Sequence, residues 1–494
     1  MRGLTLILAA ASLLAAATLA GCKLGPDFKA PQTAVPEHFS VPASGAGPQI
    51  STAAPAARFW WQEFKDPELD RLEESAAGGN LDLKAAYFRI VEARARQQAA
   101  RAGELPSLNA SASYTREQLG LAGILKSQHV EVPSADSGLV GAIESPINLY
   151  SLGFDASWEL DLFGKVRRGV EAADAQSVAA EEARRDLAVS LQAEVAQTYL
   201  QLRAAQVLAR VAREQIQAQR DVAALTESRR QHGLAGEAEV ESARGQLRAL
   251  EAELPPYEQQ ADSARHGLAV LMGAAPEALD GQLVQQGELP PLPQSIPVGL
   301  PSGLVRRRPD VRRAEAQLHA ATAEIGVSIA AMFPDISLTG AYGLRNSSTG
   351  YLFDWASRFY SFGPTISIPI FHGGALVANV KLSRAQAEEA ALGYRQTVLT
   401  ALQEVEDDLA SLHHDSERTA ALQDSVAADQ RALEIDLDAY RHGLITYVTV
   451  LTAQLQTVQA RQTLAQAVAI QTTDVVKIYK ALGGGWDIGA GGQR

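Results

Sequence analysis

Cysteine is all but absent: Cys22 stands alone among 494 residues, so no disulfide can form within the chain and a cysteine-based metal site is excluded. Long apolar runs are missing too. After Leu4 to Ala20 no stretch is apolar and long enough for a membrane helix, so any bilayer crossing must use strands. The sequence holds no Gly-x-Ser-x-Gly, no Walker loop and no His-Glu-x-x-His, which argues against an enzyme. His413-His414 is the only adjacent histidine pair; helix neighbours point about 100° apart, so neither a metal nor any other cofactor is expected. A basic excess is also lacking. The 44 Lys and Arg face 57 Asp and Glu, and a net charge of −13 argues against a nucleic-acid partner. Proline, finally, is missing from 164–231 and from 374–441.

What is present begins with a compartment signal. Arg2 precedes the apolar run, which is too short to span a bilayer comfortably and reads as a signal peptide over residues 1–21. It ends in Leu19-Ala20-Gly21-Cys22, similar to the lipobox of bacterial lipoproteins, where cleavage leaves the cysteine first and acylated. Cys22 is therefore the expected lipid attachment site. Lys23 follows it, and the absence of aspartate there resembles lipoproteins sorted to the outer membrane. Cleavage removes only Arg2 from the charge count, leaving 43 basic against 57 acidic residues and a mature charge near −14.

The chain repeats itself. Ala102 to Tyr114 is echoed by Ala330 to Tyr342, with Pro106 matching Pro334; Ser151-Leu152-Gly153 matches Ser361-Phe362-Gly363, and His232-Gly233-Leu234 matches His442-Gly443-Leu444. The first pair is offset by 228 and the others by 210, which assigns 18 extra residues to a loop between Tyr114 and Ser151. The expected organisation is a signal peptide (1–21), an anchor and extended arm (22–65), a first repeat (66–287), a Pro-rich linker (288–305), a second repeat (306–482) and a Gly-rich tail (483–494).

Each half reads as helix, strand, loop, strand, long helix, turn, helix. Asp66-Pro67-Glu68 supplies an N-cap followed by proline at the first helical position, and Gly78-Gly79 stops that helix. The proline-free stretches would be helices on the order of 100 Å long at 1.5 Å per residue. In the second, Val398, Leu402, Val405, Leu409 and Leu412 follow a 4-3-4-3 spacing that suits coiled-coil packing. Gly233 and Gly443 offer left-handed caps at which the chain reverses. Return helices are expected over 237–272 and 446–482, the first interrupted by Pro255-Pro256.

The strand segments alternate. Tyr150, Leu152, Phe154, Ala156, Trp158 and Leu160 oppose Ser151, Gly153, Asp155, Ser157, Glu159 and Asp161; Phe362, Ile366, Ile368 and Ile370 oppose Ser361, Thr365 and Ser367. Such segments fit a transmembrane barrel or a soluble sheet with one wet face. The signal peptide and lipobox favour the barrel. Four strands cannot close one, and an open edge cannot stand in lipid, so the chain is expected to oligomerise. Two copies would give eight strands and a filled interior; three would give twelve and a duct.

Together these segments make the chain similar to the TolC/OprM-type outer-membrane efflux proteins, in their NodT-like lipoprotein branch. The resemblance is carried by Trp158 to Arg168, Arg308-Pro309-Asp310-Val311-Arg312-Arg313-Ala314-Glu315, Phe333 to Leu338, Ala401 to Asp407 and Ala481 to Trp486. It implies an α+β, mainly helical fold, with a trimeric barrel of four strands per chain continued by a long helical periplasmic barrel. It also implies a passive exit duct in a tripartite efflux pump, set in outer-membrane lipid. Its tips, at His232, Gly233, Leu234, His442, Gly443 and Leu444, would contact a periplasmic adaptor, and a proton-driven inner-membrane pump of the RND class would power export. A protein-secretion conduit of type I shares this architecture; the lipobox and Arg308-Pro309-Asp310 lean toward small-molecule efflux.

The family gates its periplasmic entrance with aspartates on the return helix after the second tip. Here that run reads Val448-Thr449-Val450-Leu451-Thr452-Ala453, with threonine at both acidic positions, so an aspartate ring is not expected. At an offset of 210, Thr449 corresponds to Glu239, which offers a substitute negative ring, although a solvated helix face accounts for it more readily. Tyr440 and Arg441 are candidates for a latch between helices. A coiled-coil stalk is the remaining rival, and it has no need of four alternating strands.

Overall fold

The computed structural model describes residues 23–31, 33–40, 47–53, 59–118, 127, 146–284 and 287–486. The expected signal peptide, Cys22 and the tail beyond Trp486 lie outside the described residues.

Helices α1 (Pro67–Gly79) and α2 (Leu81–Ala102) open the first half. The Asp66 side chain caps α1 by accepting from the amides of Glu68 and Leu69, as the Asp-Pro-Glu run predicts. Strands β2 (Ser107–Glu117) and β3 (Ile147–Glu159) follow, then α3 (Lys165–Gln231) and the return helix α4 (Glu237–Leu271). The second half contains α5 (Pro301–Arg307), α6 (Pro309–Ala330), β5 (Asp335–Asn346), β6 (Arg358–Ser367), α7 (Ala375–Arg441) and α8 (Tyr447–Ala481). Short strands β1 (Gln49–Ser51) and β4 (Ser295–Pro297) pair in parallel. The equivalence of the halves extends to length: α3 and α7 each have 67 residues, and α4 and α8 each have 35. The β2–β3 connection runs 118–146 and the β5–β6 connection 347–357, that is, 29 residues against 11; the difference is the 18-residue surplus.

The described residues fall into two compact units. The first comprises residues up to Lys29, Glu92–Ser177 and Gln317–Ala390; the second comprises Ala30–Val91, Val178–Ala316 and Ala391 onward. The first unit is built on an antiparallel sheet in the order β2-β3-β5-β6. In the second, packing runs along heptad seams. Val398, Val405, Leu409 and Leu412 are buried on α7 as expected, but it is Ala401 that is fully buried between them, with Leu402 half-buried beside it. A small residue at the centre of the seam lets neighbouring backbones approach closely.

Two expectations need correction. Pro255 and Pro256 do not interrupt α4, which runs unbroken through them. Both face solvent, where the carbonyls they free can be hydrated, while Leu250 and Ala264 are buried on either side. The apolar alternation past Ser367 is not strand either: β6 ends there, and Ile368 and Ile370 continue as irregular exposed chain on either side of Pro369.

Candidate functional site

Two features stand out as functional: the face of the sheet and the tips of the helical hairpins. In the register, Phe154 lies opposite Tyr342, Trp158 opposite Leu338 and Gly340 opposite Phe362, so the apolar residues of three strands share one face. A soluble sheet would cover that face. Here Leu108, Phe154, Tyr342, Phe362 and Ile366 are more than half exposed, Phe362 reaching 83%. A continuous apolar surface on this scale is the mark of a wall that meets lipid. The other face carries Asn109, Asp155, Ser157, Glu159 and Asp335, with Asn109 donating to Asp155 at 3.1 Å. The outer edges of β2 and β6 pair with nothing among the described residues.

The tips are built from two copies of one turn. Gly233 has φ 71° and Gly443 φ 72°, the left-handed conformation that a side chain resists. At the first tip, Gly233 N–H donates to Arg230 O at 2.9 Å and Leu234 N–H to Arg229 O at 2.8 Å; at the second, Gly443 N–H donates to Tyr440 O at 2.9 Å and Leu444 N–H to Ala439 O at 2.9 Å. This is the Schellman pattern, and it satisfies the last helical carbonyls. His232 and His442 fold back on their own helices, each Nδ1 standing 2.7 Å and 2.9 Å from the carbonyls of Ser228 and Asp438. What projects is Leu234 and Leu444, 66% and 77% exposed.

Behind the tips, α3, α4, α7 and α8 meet in a buried cluster of Val222, Ala243, Tyr440, Tyr447 and Val450. A polar network runs through it. Gln219 donates to Ala243 O at 3.0 Å and to the Tyr447 hydroxyl at 3.3 Å. Thr226 donates to Val222 O at 2.9 Å, and its hydroxyl stands 3.4 Å from that of Tyr440. Burial pushes the Tyr447 phenol up, and the charge-bearing form of Tyr440 adds to this; the Gln219 hydrogen bond opposes them. Arg229 donates to Tyr440 O at 2.7 Å and lays its guanidinium over the Tyr440 ring, 4.5 Å from the centroid.

Of the gate candidates, Tyr440 is buried within this network, whereas Arg441 is exposed and makes no hydrogen bond or ion pair among the described residues. The arginine that reaches Tyr440 is Arg229, from the other long helix. The Glu239 side chain is half-buried and has no ion-pair partner among the described residues; it stands between Glu237, 3.5 Å from Arg230, and Glu241, 2.7 Å from Arg244. Thr449 and Thr452 are exposed on α8, Thr452 donating to Val448 O. Sequence reasoning missed Gln219, Thr226 and Arg229. A signal existed: with Val222 they continue a 3-4-3 seam spacing, in which polar residues occupy core positions.

Two motif arginines are structural clamps. Arg168, 1% exposed in its side chain, donates to Leu24 O at 2.9 Å, Gly25 O at 3.2 Å and Asp27 at 2.8 Å, holding the segment after Cys22. Its partner Glu171 also receives Lys23 at 2.5 Å and His319 at 3.0 Å. Burial raises the Glu171 pKa, but the hydrogen bonds from Lys23, His319 and Arg168 outweigh it and hold the carboxyl at about 2. Arg308 binds Asp310 at 2.7 Å, Glu404 at 2.6 Å and Ala481 O at 2.9 Å, tying the start of α6 to α7 and the end of α8. Just beyond, Trp486 is buried with Arg185 and Arg312 over its ring at 5.0 and 5.3 Å, and Gln192 donates to Gly485 O at 3.0 Å.

Comparison with known proteins agrees with this geometry. The family profile described as outer membrane efflux protein matches residues 72–274 and 300–484. The antibiotic efflux pump outer membrane protein ArpC of Pseudomonas putida is 32% identical over 475 residues, 95% of this chain and 93% of that protein. The probable outer membrane lipoprotein SilC of Salmonella typhimurium is 31% identical over 471 residues, covering 95% and 96%. Among solved structures, the outer-membrane channel OprN superposes with a TM-score of 0.85 at 34% identity, covering 94% of this chain and all of that one. With an uncovered apolar sheet face, paired helical hairpins ending in twin turns and relatives along nearly its whole length, the chain belongs to the outer membrane efflux protein family and is an outer-membrane efflux channel.

Proposed function

We propose that three copies of the chain close a twelve-stranded barrel in the outer membrane and form the passive exit duct of a tripartite pump for small molecules. The observation that carries this reading is the four-stranded sheet with its apolar face bare and both edges open. An unpaired strand edge in hydrocarbon costs several kcal/mol per backbone group, so each β2 edge must meet a β6 edge of the next copy. The chain is not an enzyme; it supplies a conduit, and energy comes from an inner-membrane pump of the RND class through a periplasmic adaptor. The twin tips support adaptor contact, since each presents one exposed leucine on a rigid turn. Cys22 carries the acyl anchor, and residues 66–287 and 306–482 act as the two repeats. The antibiotic efflux pump relative favours small-molecule export over protein secretion.

The decisive experiment is purification of the full mature chain in detergent, chemical cross-linking, and reconstitution in planar bilayers. A trimer that conducts ions is expected. Material that remains monomeric and leaves the bilayer silent overturns the proposal. Palmitate labelling of the wild type, lost in Cys22→Ser, tests the anchor separately.

A further inference from the structure

On α7, His413, His414 and Glu417 bring their ligand atoms within 4.8 Å of one another. Adjacent histidines alone diverge by about 100°, but at 100° per residue Glu417 falls between them, about 40° from His413 and 60° from His414. The carboxylate bridges the gap: Glu417 Oε1 lies 3.7 Å from His413 Nε2, and Oε2 lies 3.7 Å from His414 Nδ1. The two pairings are i,i+4 and i,i+3, the spacings at which helix side chains share a face. The imidazole rings stand 5.2 Å apart between centroids and are tilted by 59°, so they do not stack on one another.

We infer that His413, His414 and Glu417 form a surface site for a divalent transition-metal ion, with water completing the coordination. Two imidazole nitrogens and one carboxylate oxygen suit Zn2+, Cu2+ or Ni2+ and disfavour Mg2+ and Ca2+, which take oxygen ligands. The two 3.7 Å distances run to different oxygens of one carboxylate and the three ligand atoms lie within 4.8 Å, so side-chain rotation is what brings them to about 2.0–2.2 Å from a shared ion. His413 is the anchored ligand, its side chain only 20% exposed, while His414 at 75% and Glu417 at 58% close over the ion from the solvent side. The site is therefore open and exchangeable, and all its ligands come from one helix of one chain.

The test is calorimetric titration of the tag-free full chain in detergent with ZnCl2, set beside His413→Ala/His414→Ala, His414→Ala and Glu417→Gln. The nine histidines leave room for other uptake, so the readout is the difference in stoichiometry. The double variant is expected to lose one Zn2+ equivalent per chain. Cu2+ added to the wild type should give an electron paramagnetic resonance signal coupled to two nitrogens, reduced to one in His414→Ala. Because His414 is largely exposed, that variant leaves packing intact and separates loss of the site from misfolding. Equal Zn2+ uptake by the wild type and the double variant, or an unchanged Cu2+ spectrum in His414→Ala, overturns the proposal. Neither readout involves conduction, so failure here leaves the channel reading untouched.

Discussion

If the network behind the tips holds the hairpins closed, its strength resides in Arg229 and not in the Tyr440 hydroxyl. Arg229→Ala removes a hydrogen bond from a charged donor and a cation–π contact. Taken alone these are worth roughly 1.5–3 and 0.5–1 kcal/mol. Tyr440 O keeps the Gly443 amide at 2.9 Å, however, so no carbonyl is orphaned, and the loss falls toward the lower end, about 2 kcal/mol. That amounts to roughly a 30-fold shift between closed and open tips. Tyr440→Phe loses only a 3.4 Å contact with Thr226, whose hydroxyl keeps its bond to Val222 O; the cost is under about 0.5 kcal/mol, little more than twofold. Single-channel recordings should therefore show a large rise in open probability for Arg229→Ala and a near-silent Tyr440→Phe. Equal effects from the two, or unchanged gating in Arg229→Ala, would refute the reasoning.

Other outcomes follow from the same structure. Gly233→Ala places a Cβ where no atom lies within 4 Å, so its cost comes from φ alone, roughly 1–2 kcal/mol, measurable as a lower melting temperature. The Glu171 carboxyl is depressed from the ordinary 4.5 to about 2, so its contribution is present above pH 4.5 and lost as the pH falls through 2. Melting curves between pH 5 and 2 should fall more steeply for the wild type than for Glu171→Gln, and parallel curves would contradict the clamp. On the sheet, Phe362→Arg should cost about 2–4 kcal/mol near the bilayer midplane and block assembly, whereas Ser361→Arg on the opposite face is tolerated and changes ion selectivity instead. Trimer yield and reversal potentials check the pair.

Much of the architecture was legible because the sequence punctuates it. Absence of proline and a closing His-Gly-Leu defined both 67-residue helices almost to the residue. Strand limits were less legible. β2 runs to Glu117 and β3 starts at Ile147, beyond where alternation is visible, because ladder hydrogen bonds continue after side-chain patterning fades. Pro255-Pro256 misled because propensity describes an isolated helix, while here packing on the opposite side sustains it. The tip network was only half legible. Tyr440 could be named from its place before the turn, but its partner Arg229 lies 211 residues away, with alanine at the equivalent position of the second half. Arg168 and Arg308 were visible as parts of motifs, yet nothing in their local spacing reveals which carbonyls they bind.

The burial of Trp486 matters to anyone handling the gene. Ending the reading frame after Leu482 would strip the two guanidinium groups of their aromatic partner and Gln192 of its acceptor, loosening the junction where Trp60 stacks on Tyr479. A stop codon or an affinity handle placed after Trp486 leaves every one of those contacts in place, which makes it the better position for either.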